Sequence, residues 1–474
     1  MRRVLLACLF VSLVGVPAIG GDADSSAAEL LKAARSAMEI QLRLGDLARD
    51  KGDTEGATKA YRAALEIYER AVERAERWEK DRAPQAAPLP GRVTARPAPA
   101  ADEPFTGPST PSAVPARAAP GVATPPVKSD QVHRGLAWLA RSQSDDGKWD
   151  ADRHQGGAMY DVGVTGLSLL AFLGAGYTDR GSNEQNPHAR TVRLGLRFLI
   201  QSQDTAGCFG KRASHSFMYN HCLATLALTE AYAQTRNPRY KKPAVDGVNF
   251  ILMARNPYLA WRYVPRGGEN DTSVTAWAIN ALASAKHAGF DVDPDAWKGA
   301  RQWVDKMTDP NFGQVGYNYP GGVAARPEGR QDKFPPEKTA SMTAAGIWIR
   351  MLCGEDPAKS KPIRLGTNIC QERPPVWNRD AGTIDMYYWF YGTLAMYQVG
   401  GNAWRRWHTA LFTAVSKSQR TGTPNVDGSW DPAGVWGPEG GRVYSTALMT
   451  LCLQISHRYV KVFGVTRKPV PERR

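Results

Sequence analysis

The stretch of sequence that decides the fold is DQVHRGLAWLARSQSDDGKWD, residues 130–150. Its regularly spaced residues are Arg134, Gly135, Trp138, Leu139, Gln143, Gly147 and Trp149. The spacing returns roughly sixty residues later, and again near the end of the chain with a longer gap. These copies contain Gly195, Phe198, Leu199, Gln203, Gly207 and Phe209, and then Phe412, Gln419, Gly428 and Trp430. Weaker copies centre on Trp261, residues 312–317 and Trp377, which indicates a chain built from one repeated unit.

A long apolar segment rich in alanine follows each copy. These segments are residues 162–177, 219–235, 271–289, 338–354, 384–399 and 443–459. Because they are apolar on nearly all sides, they predict six buried inner helices, and the amphipathic copies predict six outer helices. Six stacked helix pairs can curve into a closed ring. The predicted fold class is all-α, an α6/α6 toroid of six helical hairpins over residues 129–465.

The repeat resembles the QW motif of squalene and oxidosqualene cyclases, so the chain is similar to the prenyltransferase/squalene cyclase (terpenoid cyclase) toroid family. A glutamine at a helix end can satisfy loop amides, glycine takes a tight turn, and an aromatic ring covers the pair. We interpret these residues as a structural staple between repeats: Gln143, Gly147, Trp149, Gln203, Gly207, Gln419, Gly428 and Trp430. Toroids of this kind serve several chemistries, so the motif predicts fold and not function.

Two segments before the linker have their own signatures. Residues 1–20 have the anatomy of a signal peptide, with Arg2 and Arg3 before an apolar run, so we expect export to the periplasm or cell envelope. Residues 25–82 have helical spacing and match the small and large positions of one tetratricopeptide (TPR)-like hairpin. Such a hairpin leaves an apolar stripe for a protein partner, and a plain helical hairpin or short coiled coil is the open alternative.

Composition sets limits on the rest of the chain. Residues 83–128 are rich in Pro and Ala and predict a disordered linker, and residues 466–474 form a basic tail. The net charge is +14, but basic residues are dispersed and no nucleic-acid motif accompanies them, so we expect no nucleic-acid partner. No segment after the signal approaches the roughly 20 apolar residues of a membrane helix, so we expect no transmembrane segment. Apart from Cys8 in the predicted signal peptide, the sequence has five scattered cysteines, and no two of them form a CxxC pair.

Squalene cyclases protonate their substrates with the middle Asp of a DxDDTA motif. The nearest counterpart is the segment GENDTS, residues 268–273, in which Asn270 occupies the acid position and has no acidic proton. Only Asp271 matches, and a helix N-cap explains it as well. Acid chemistry would require Glu269 or Asp271 to act from another direction. Enzyme activity is therefore left open by the sequence.

The sequence lacks the motifs of two other activities that related toroids have. Protein prenyltransferases hold zinc with an Asp-x-Cys pair, which this sequence does not contain, and His221 and Cys222 are adjacent and point to different helix faces. The tetrapeptide Cys353-Gly354-Glu355-Asp356 lacks the Gln of a thioester site and reads as a helix end. We therefore expect no metal and no cofactor.

The starts of the inner helices should meet a ligand, because their N-termini point at one mouth of such a ring. Weak catalytic candidates there are Asp271, Asp385, Asp161 and Glu269. Candidates for a ligand cavity are Tyr160, His221, Thr272, Tyr387, Tyr388, Tyr444 and Trp436. Capping, core packing and sugar stacking explain these residue types equally well.

Three functions fit these features. The leading hypothesis is a non-catalytic or divergent binding protein of the cell envelope that holds a peptide, lipid or glycan in the toroid. The second is a lipid- or isoprenoid-acting enzyme of the terpenoid cyclase superfamily, which needs a deep apolar cavity. The third is a glycan hydrolase or lyase, which needs an open groove with two carboxylates about 5 to 9.5 Å apart.

Overall fold

The computed structural model describes residues 129–182, 184–212, 216–257 and 259–458, with a few single positions near the N-terminus. Among the latter, Glu55, Gly56, Lys59, Ala60 and Ala63 are helical, and the Asp53 carboxylate accepts the Gly56 N–H at 2.8 Å. The predicted signal peptide, most of the TPR-like hairpin, the linker and the basic tail lie outside the described residues.

Twelve α-helices make up the region from residue 129 to residue 458. The outer helices are α1 Asp130–Arg141, α3 Ala189–Gln201, α5 Pro238–Ala254, α7 Pro294–Met307, α9 Lys361–Glu372 and α11 Gly401–Ser418. The inner helices are α2 Asp161–Gly174, α4 Phe217–Thr235, α6 Thr272–His287, α8 Ser341–Leu352, α10 Met386–Val399 and α12 Gly437–Arg458. The described residues contain isolated β-bridges but no β-strand.

The inner helices form a closed ring. Each packs against the next, and α12 packs back against α2. The outer helices lie outside this ring, and each contacts the inner helix that precedes it in ring order. The predicted α6/α6 toroid is therefore confirmed. Because every inner helix follows an outer one, the inner helices run in the same direction and their first turns meet at one mouth.

Three inner helices differ from the predicted bounds by three residues or more at one end. Helix α2 ends at Gly174, because the chain turns over the next residues towards Tyr177. A short 3-10 turn, Pro336–Lys338, precedes α8, so that helix starts at Ser341. Helix α12 starts early at Gly437 and kinks at Gly441, whose φ is 65°.

The glutamines of the repeat join neighbouring hairpins. Gln143 Nε2 donates to the Gly147 carbonyl in its own loop and to the Thr191 carbonyl on α3. Gln203 bonds its own loop and the Pro243 carbonyl on α5 in the same way. Each glutamine therefore fixes its loop against the next outer helix.

The glycines and tryptophans of the same motif complete this junction. Gly147 has φ 97°, and a Cβ there would lie 2.3 Å from the Leu194 carbonyl oxygen of the next outer helix. The Trp149 indole N–H donates to the Leu139 carbonyl at 2.7 Å, which ties the loop to its own outer helix. At position 147 only glycine permits the loop to lie this close to the next outer helix, because any side chain would contact the backbone of that helix.

A side chain on the following inner helix accepts a hydrogen bond from the backbone N–H at the position that Trp149 occupies in the first repeat. Thr165 accepts from Trp149 at 3.0 Å, and the same bond recurs between Thr275 and Trp261, Thr343 and Val315, and Thr446 and Trp430. In the second repeat His221 takes this place, and its Nδ1 accepts from Phe209 at 3.1 Å. This internal bond couples the loops of repeats one to four and six to the ring.

Two further properties of the described residues are the state of the cysteines and the apolar length of the helices. The five cysteines Cys208, Cys222, Cys353, Cys370 and Cys452 are free thiols. Burial raises the pKa of Cys208 to about 12, so that thiol stays protonated at neutral pH. Among the described helices, none is both long enough and apolar enough to cross a membrane.

Candidate functional site

Asp271 lies at the mouth and is fully buried. Its carboxylate caps α6 by accepting the Val274 N–H at 2.7 Å, as the N-cap interpretation predicts. It also accepts the Tyr317 hydroxyl at 3.2 Å and lies 3.6 Å from Arg262 Nε. The carboxylate is therefore held by a helix end, a phenol and a guanidinium.

Burial raises the pKa of Asp271 to about 7, against the opposing effects of the cap and of Arg262. The Tyr317 hydroxyl is hydrogen-bonded to that of Tyr263, whose ring lies 6.2 Å from that of Tyr219. The Arg262 guanidinium lies over both the Tyr263 and Tyr317 rings, at 5.1 and 5.8 Å. A buried acid thus lies beneath a layer of tyrosines and one arginine.

The other two predicted carboxylates have separate partners. Asp385 caps α10 by accepting the Tyr388 N–H, accepts the Thr339 hydroxyl at 3.0 Å, and lies 3.5 Å from the buried Arg326 guanidinium. Asp161 accepts the Ala151 N–H at 2.9 Å and pairs with Lys148 at 2.7 Å. Each of the three carboxylates therefore has its own cation and at least one backbone N–H.

The remaining residues of the GENDTS segment have structural contacts. Asn270 Oδ1 accepts the Ala260 N–H at 3.0 Å, so the residue at the acid position of the resembled motif holds a loop. The Thr272 hydroxyl donates to the Gly316 carbonyl at 2.7 Å and is fully buried. Glu269 is exposed and pairs with Arg262 at 2.9 Å. Of this segment, only Glu269 faces solvent at the mouth.

His221 lies inside the wall of the ring. Besides accepting from Phe209, its ring contacts the Gly247 carbonyl through Nε2 at 3.0 Å. Burial lowers its pKa to about 3, so the imidazole is neutral and donates its Nε2 proton to Gly247. This predicted cavity residue is fully buried and serves as a structural acceptor.

Aromatic side chains pack together inside the ring. Trp277 of α6 stacks on Phe390 of α10 at 5.4 Å and meets Tyr391 edge-on at 5.2 Å. Tyr387 lies beside them and accepts a hydrogen bond from the Ser273 hydroxyl at 3.0 Å. All four rings are buried, so Tyr387, which was predicted to line a ligand cavity, is part of the packed core.

The other predicted cavity residues occupy different places. Tyr388 differs from expectation, because its hydroxyl donates to the Arg373 carbonyl at 2.8 Å, beside the outer helix α9. Tyr160 is half-buried at the position before α2, Tyr444 is half-buried in α12 just after the kink at Gly441, and Trp436 is half-buried in the loop before α12. Gly157 N–H donates to the Glu439 carbonyl at 2.9 Å, which brings the loops of the first and last repeats together.

Side chains from the loops of four repeats lie at the mouth, and we name this set the mouth surface. Its residues are Met159, Tyr219, Arg262, Tyr263, Val264, Tyr317, Tyr319 and Val323. Asn220 beside Tyr219 links the mouth surface to the first repeat by donating to the Met159 carbonyl at 2.7 Å. Met159, Val264 and Tyr319 are 55, 60 and 54 % exposed, so three of these loops present apolar side chains to solvent.

No family model matches the sequence, and no curated protein matches it. Solved structures similar to the chain include an α-1,6-mannanase from Salegentibacter, with 12 % identity, a TM-score of 0.46, and coverage of 69 % of this chain and 98 % of the mannanase. A type II terpene cyclase from Scytonema has 12 % identity and a TM-score of 0.43, covering 69 % of this chain and 97 % of its own. A cellobiose 2-epimerase from Bacillus thermoamylovorans has 12 % identity and a TM-score of 0.47, covering 68 and 96 %.

These neighbours are α/α toroid enzymes with different activities, and the terpene cyclase is not singled out among them. The likeness concerns the fold alone. It does not extend to activity, which has to be argued from the residues of this chain.

Sequence reasoning missed the cations and phenols that surround the predicted carboxylates. The third loop places Arg262 beside Asp271, and the fourth loop places Tyr317 there, and no spacing in the sequence reveals these contacts. One signal was present, because Arg262 and Tyr263 directly follow the repeat residue Trp261 in a loop that leads to the mouth.

Proposed function

We propose that this chain is a non-catalytic binding protein of the cell envelope whose mouth surface docks a peptide segment of a partner. Under this proposal the toroid is a scaffold, and the ligand lies across the loops of repeats one to four. The predicted TPR-like hairpin would supply a second docking module, and the predicted signal peptide would deliver the protein to the envelope.

The observation that carries the proposal is the engagement of all three candidate carboxylates. Asp161, Asp271 and Asp385 each accept a backbone N–H and each pair with a basic side chain. A glycosidase needs one carboxyl group that is free to protonate a leaving group and another that faces it. Residues that are committed to backbone N–H groups and ion pairs are suited to holding the fold.

The composition of the mouth surface favours a peptide among possible ligands. Aromatic residues, Met and Arg are enriched in protein interfaces, and Lys and Glu are depleted there. Met159 adds a flexible thioether that adapts to different apolar partners. Tyr263 and Arg262 combine apolar faces with hydrogen-bonding ends, as binding hot spots do.

A second candidate function is supported by one specific observation. Asp271 is a buried carboxyl whose pKa is raised to about 7, and Tyr317 donates to it. A carboxyl kept protonated near neutral pH is a plausible acid for a lipid, isoprenoid or glycan substrate. That function requires a substrate to reach Asp271 past Tyr317.

Selection from a phage-displayed random peptide library tests the proposal. The immobilised full chain is the bait, and the triple variant Met159→Ser, Val264→Ser, Tyr319→Ser is the counter-bait. These three side chains are exposed, so replacing them leaves the core intact. Selected peptides are expected to bind the wild type and to bind the triple variant at least about tenfold more weakly, a difference of about 1.4 kcal/mol. Peptides that bind both proteins equally would overturn the proposal.

A further inference from the structure

A second opening lies on the outside of the ring, between the fifth and sixth outer helices, α9 and α11. It is an open groove of about 1110 Å³, bounded by the loop after α9, one face of α11 and the loop that follows α11. We name it the basic groove, because Arg379, Arg405, Arg406, Lys417 and Arg420 line it. It contains no residue of the mouth surface.

The loop that bounds this groove departs from the staple pattern. After α9 the chain reads RPPVWNR, residues 373–379, which lacks the Gln and Gly of the staple. At the other end of the chain, Gly428 presses against the Arg134 backbone of the next outer helix. Here Gln371 alone reaches across, to the Ala403 carbonyl at 3.1 Å. The groove lies between that loop and α11.

The charge of the groove is unbalanced. Its only carboxylate among the described lining residues is Asp431, which is shared by Arg379, Arg420 and Arg442. Within the same described ranges, Arg405, Arg406 and Lys417 form no salt bridge, and all three are exposed on one helix face. Several like charges held together without counter-charges favour an anionic ligand.

The uncharged lining distinguishes among anionic ligands. Thr413 and Thr423 are exposed and present hydroxyls. Trp377 is half-buried on the loop side, where part of its ring remains open to the groove. Hydroxyls and an aromatic face suit sugar rings, and guanidinium groups suit their carboxylates by paired hydrogen bonds.

We propose that the basic groove binds an acidic oligosaccharide that carries carboxylate groups along its length. The guanidinium groups of Arg405 and Arg406 pair with the carboxylates, and Trp377 stacks on a sugar ring between them. The inference goes beyond the function proposed for the mouth and does not depend on it, because the two surfaces share no residue.

Fluorescence anisotropy with a labelled oligogalacturonate tests the inference on the full chain. We expect saturable binding that weakens as salt rises, since exposed charge pairs are screened. The neutral oligogalactoside of the same length should bind at least about tenfold more weakly. Arg405→Glu with Arg406→Glu should reduce oligogalacturonate affinity by at least about tenfold as well.

The matched control reverses two exposed arginines on another outer helix, Arg190→Glu with Arg197→Glu, and should bind like the wild type. Thr413→Trp fills the groove from an exposed position and should also abolish binding without altering charge. The inference is overturned if the control weakens binding as much as the groove variants. It is also overturned if oligoglutamate or duplex DNA binds as tightly as the oligogalacturonate, because charge alone would then explain the binding.

Discussion

Gln419 donates a hydrogen bond to the backbone carbonyl of Gln131 at 2.9 Å, although 288 residues separate them. The same amide nitrogen donates to the Gly428 carbonyl at 2.8 Å. The last repeat is thereby joined to the first by the bond that Gln143 and Gln203 make between neighbouring repeats. A local staple motif thus also closes the ring.

Gln419→Ala should destabilise the toroid by about 1–3 kcal/mol, because it leaves two carbonyls at a buried junction without this donor. Urea denaturation of the purified chain measures the change. Gln201→Ala, an exposed glutamine at the end of α3, should cost less than about 0.5 kcal/mol. Equal effects of the two substitutions would show that ring closure does not depend on this amide.

Gly428→Ala should cost more than Gly422→Ala. Both glycines have positive φ, 87° and 75°, so alanine at either position adds strain of about 1–2 kcal/mol. A Cβ at Gly428 would also lie 2.3 Å from the Arg134 carbonyl oxygen, whereas a Cβ at Gly422 meets nothing within 4 Å. The additional overpacking should add about 1–3 kcal/mol in thermal or urea unfolding. A similar loss at both sites would contradict close packing at the staple.

His221→Phe should destabilise the protein and change its response to acid. The substitution removes the acceptor for the Phe209 N–H and the partner of the Gly247 carbonyl, at a cost of about 1–3 kcal/mol for each group left unpaired.

Burial lowers the pKa of His221 from its ordinary value of 6.5 to about 3. The unfolded chain therefore binds the proton first, and stability from this group is lost as pH falls through that window. The difference in unfolding free energy between wild type and His221→Phe should shrink from pH 6.5 towards pH 3. A constant difference would show that the imidazole is not buried and neutral.

Asp271→Asn should have the opposite pH dependence. Burial raises the pKa of Asp271 from its ordinary value of 3.8 to about 7, so the folded protein holds this proton more tightly than the unfolded chain. Wild-type stability from this group is present below pH 3.8 and is lost as pH rises towards 7.

Asparagine keeps the capping oxygen but has no proton to lose. Relative to wild type, Asp271→Asn should therefore gain stability as pH rises from about 4 to about 7. Thermal unfolding at a series of pH values measures this difference, and Asp385→Asn is the matched capping carboxylate. A pH-independent difference for Asp271→Asn would mean that Arg262 keeps the carboxylate ionised.

The sequence predicts the ring because its signals are local and repeated. Gln143, Gly147 and Trp149 lie within one loop, so their spacing is visible and their role as a staple follows from their chemistry. The third junction is harder to read, because Arg255 takes the place of glutamine and donates to the Asp295 carbonyl at 2.7 Å. Arginine at this position preserves the hydrogen bond between neighbouring repeats, but the sequence no longer shows the glutamine of the motif.

The candidate site is less predictable, because its contacts cross between loops. Asp271 could be predicted as a helix cap from its position, but no spacing reveals that Tyr317 and Arg262 lie over it. His221 was expected to face a cavity, since a histidine near a helix start suggests function. Its role becomes clear only by alignment in space with Thr165 and Thr275, which serve the same backbone bond.

The most direct test of the central claim is a search for turnover on the full chain. Neutral oligosaccharides, an oligogalacturonate and a polyprenyl lipid are incubated with the protein at pH 5 to 8, and products are followed by mass spectrometry. We predict that every substrate is recovered unchanged, because Asp161, Asp271 and Asp385 are held by backbone N–H groups and cations. A product that forms with the wild type and disappears with both Asp271→Asn and Tyr317→Phe would contradict the claim and assign an enzymatic function to the mouth.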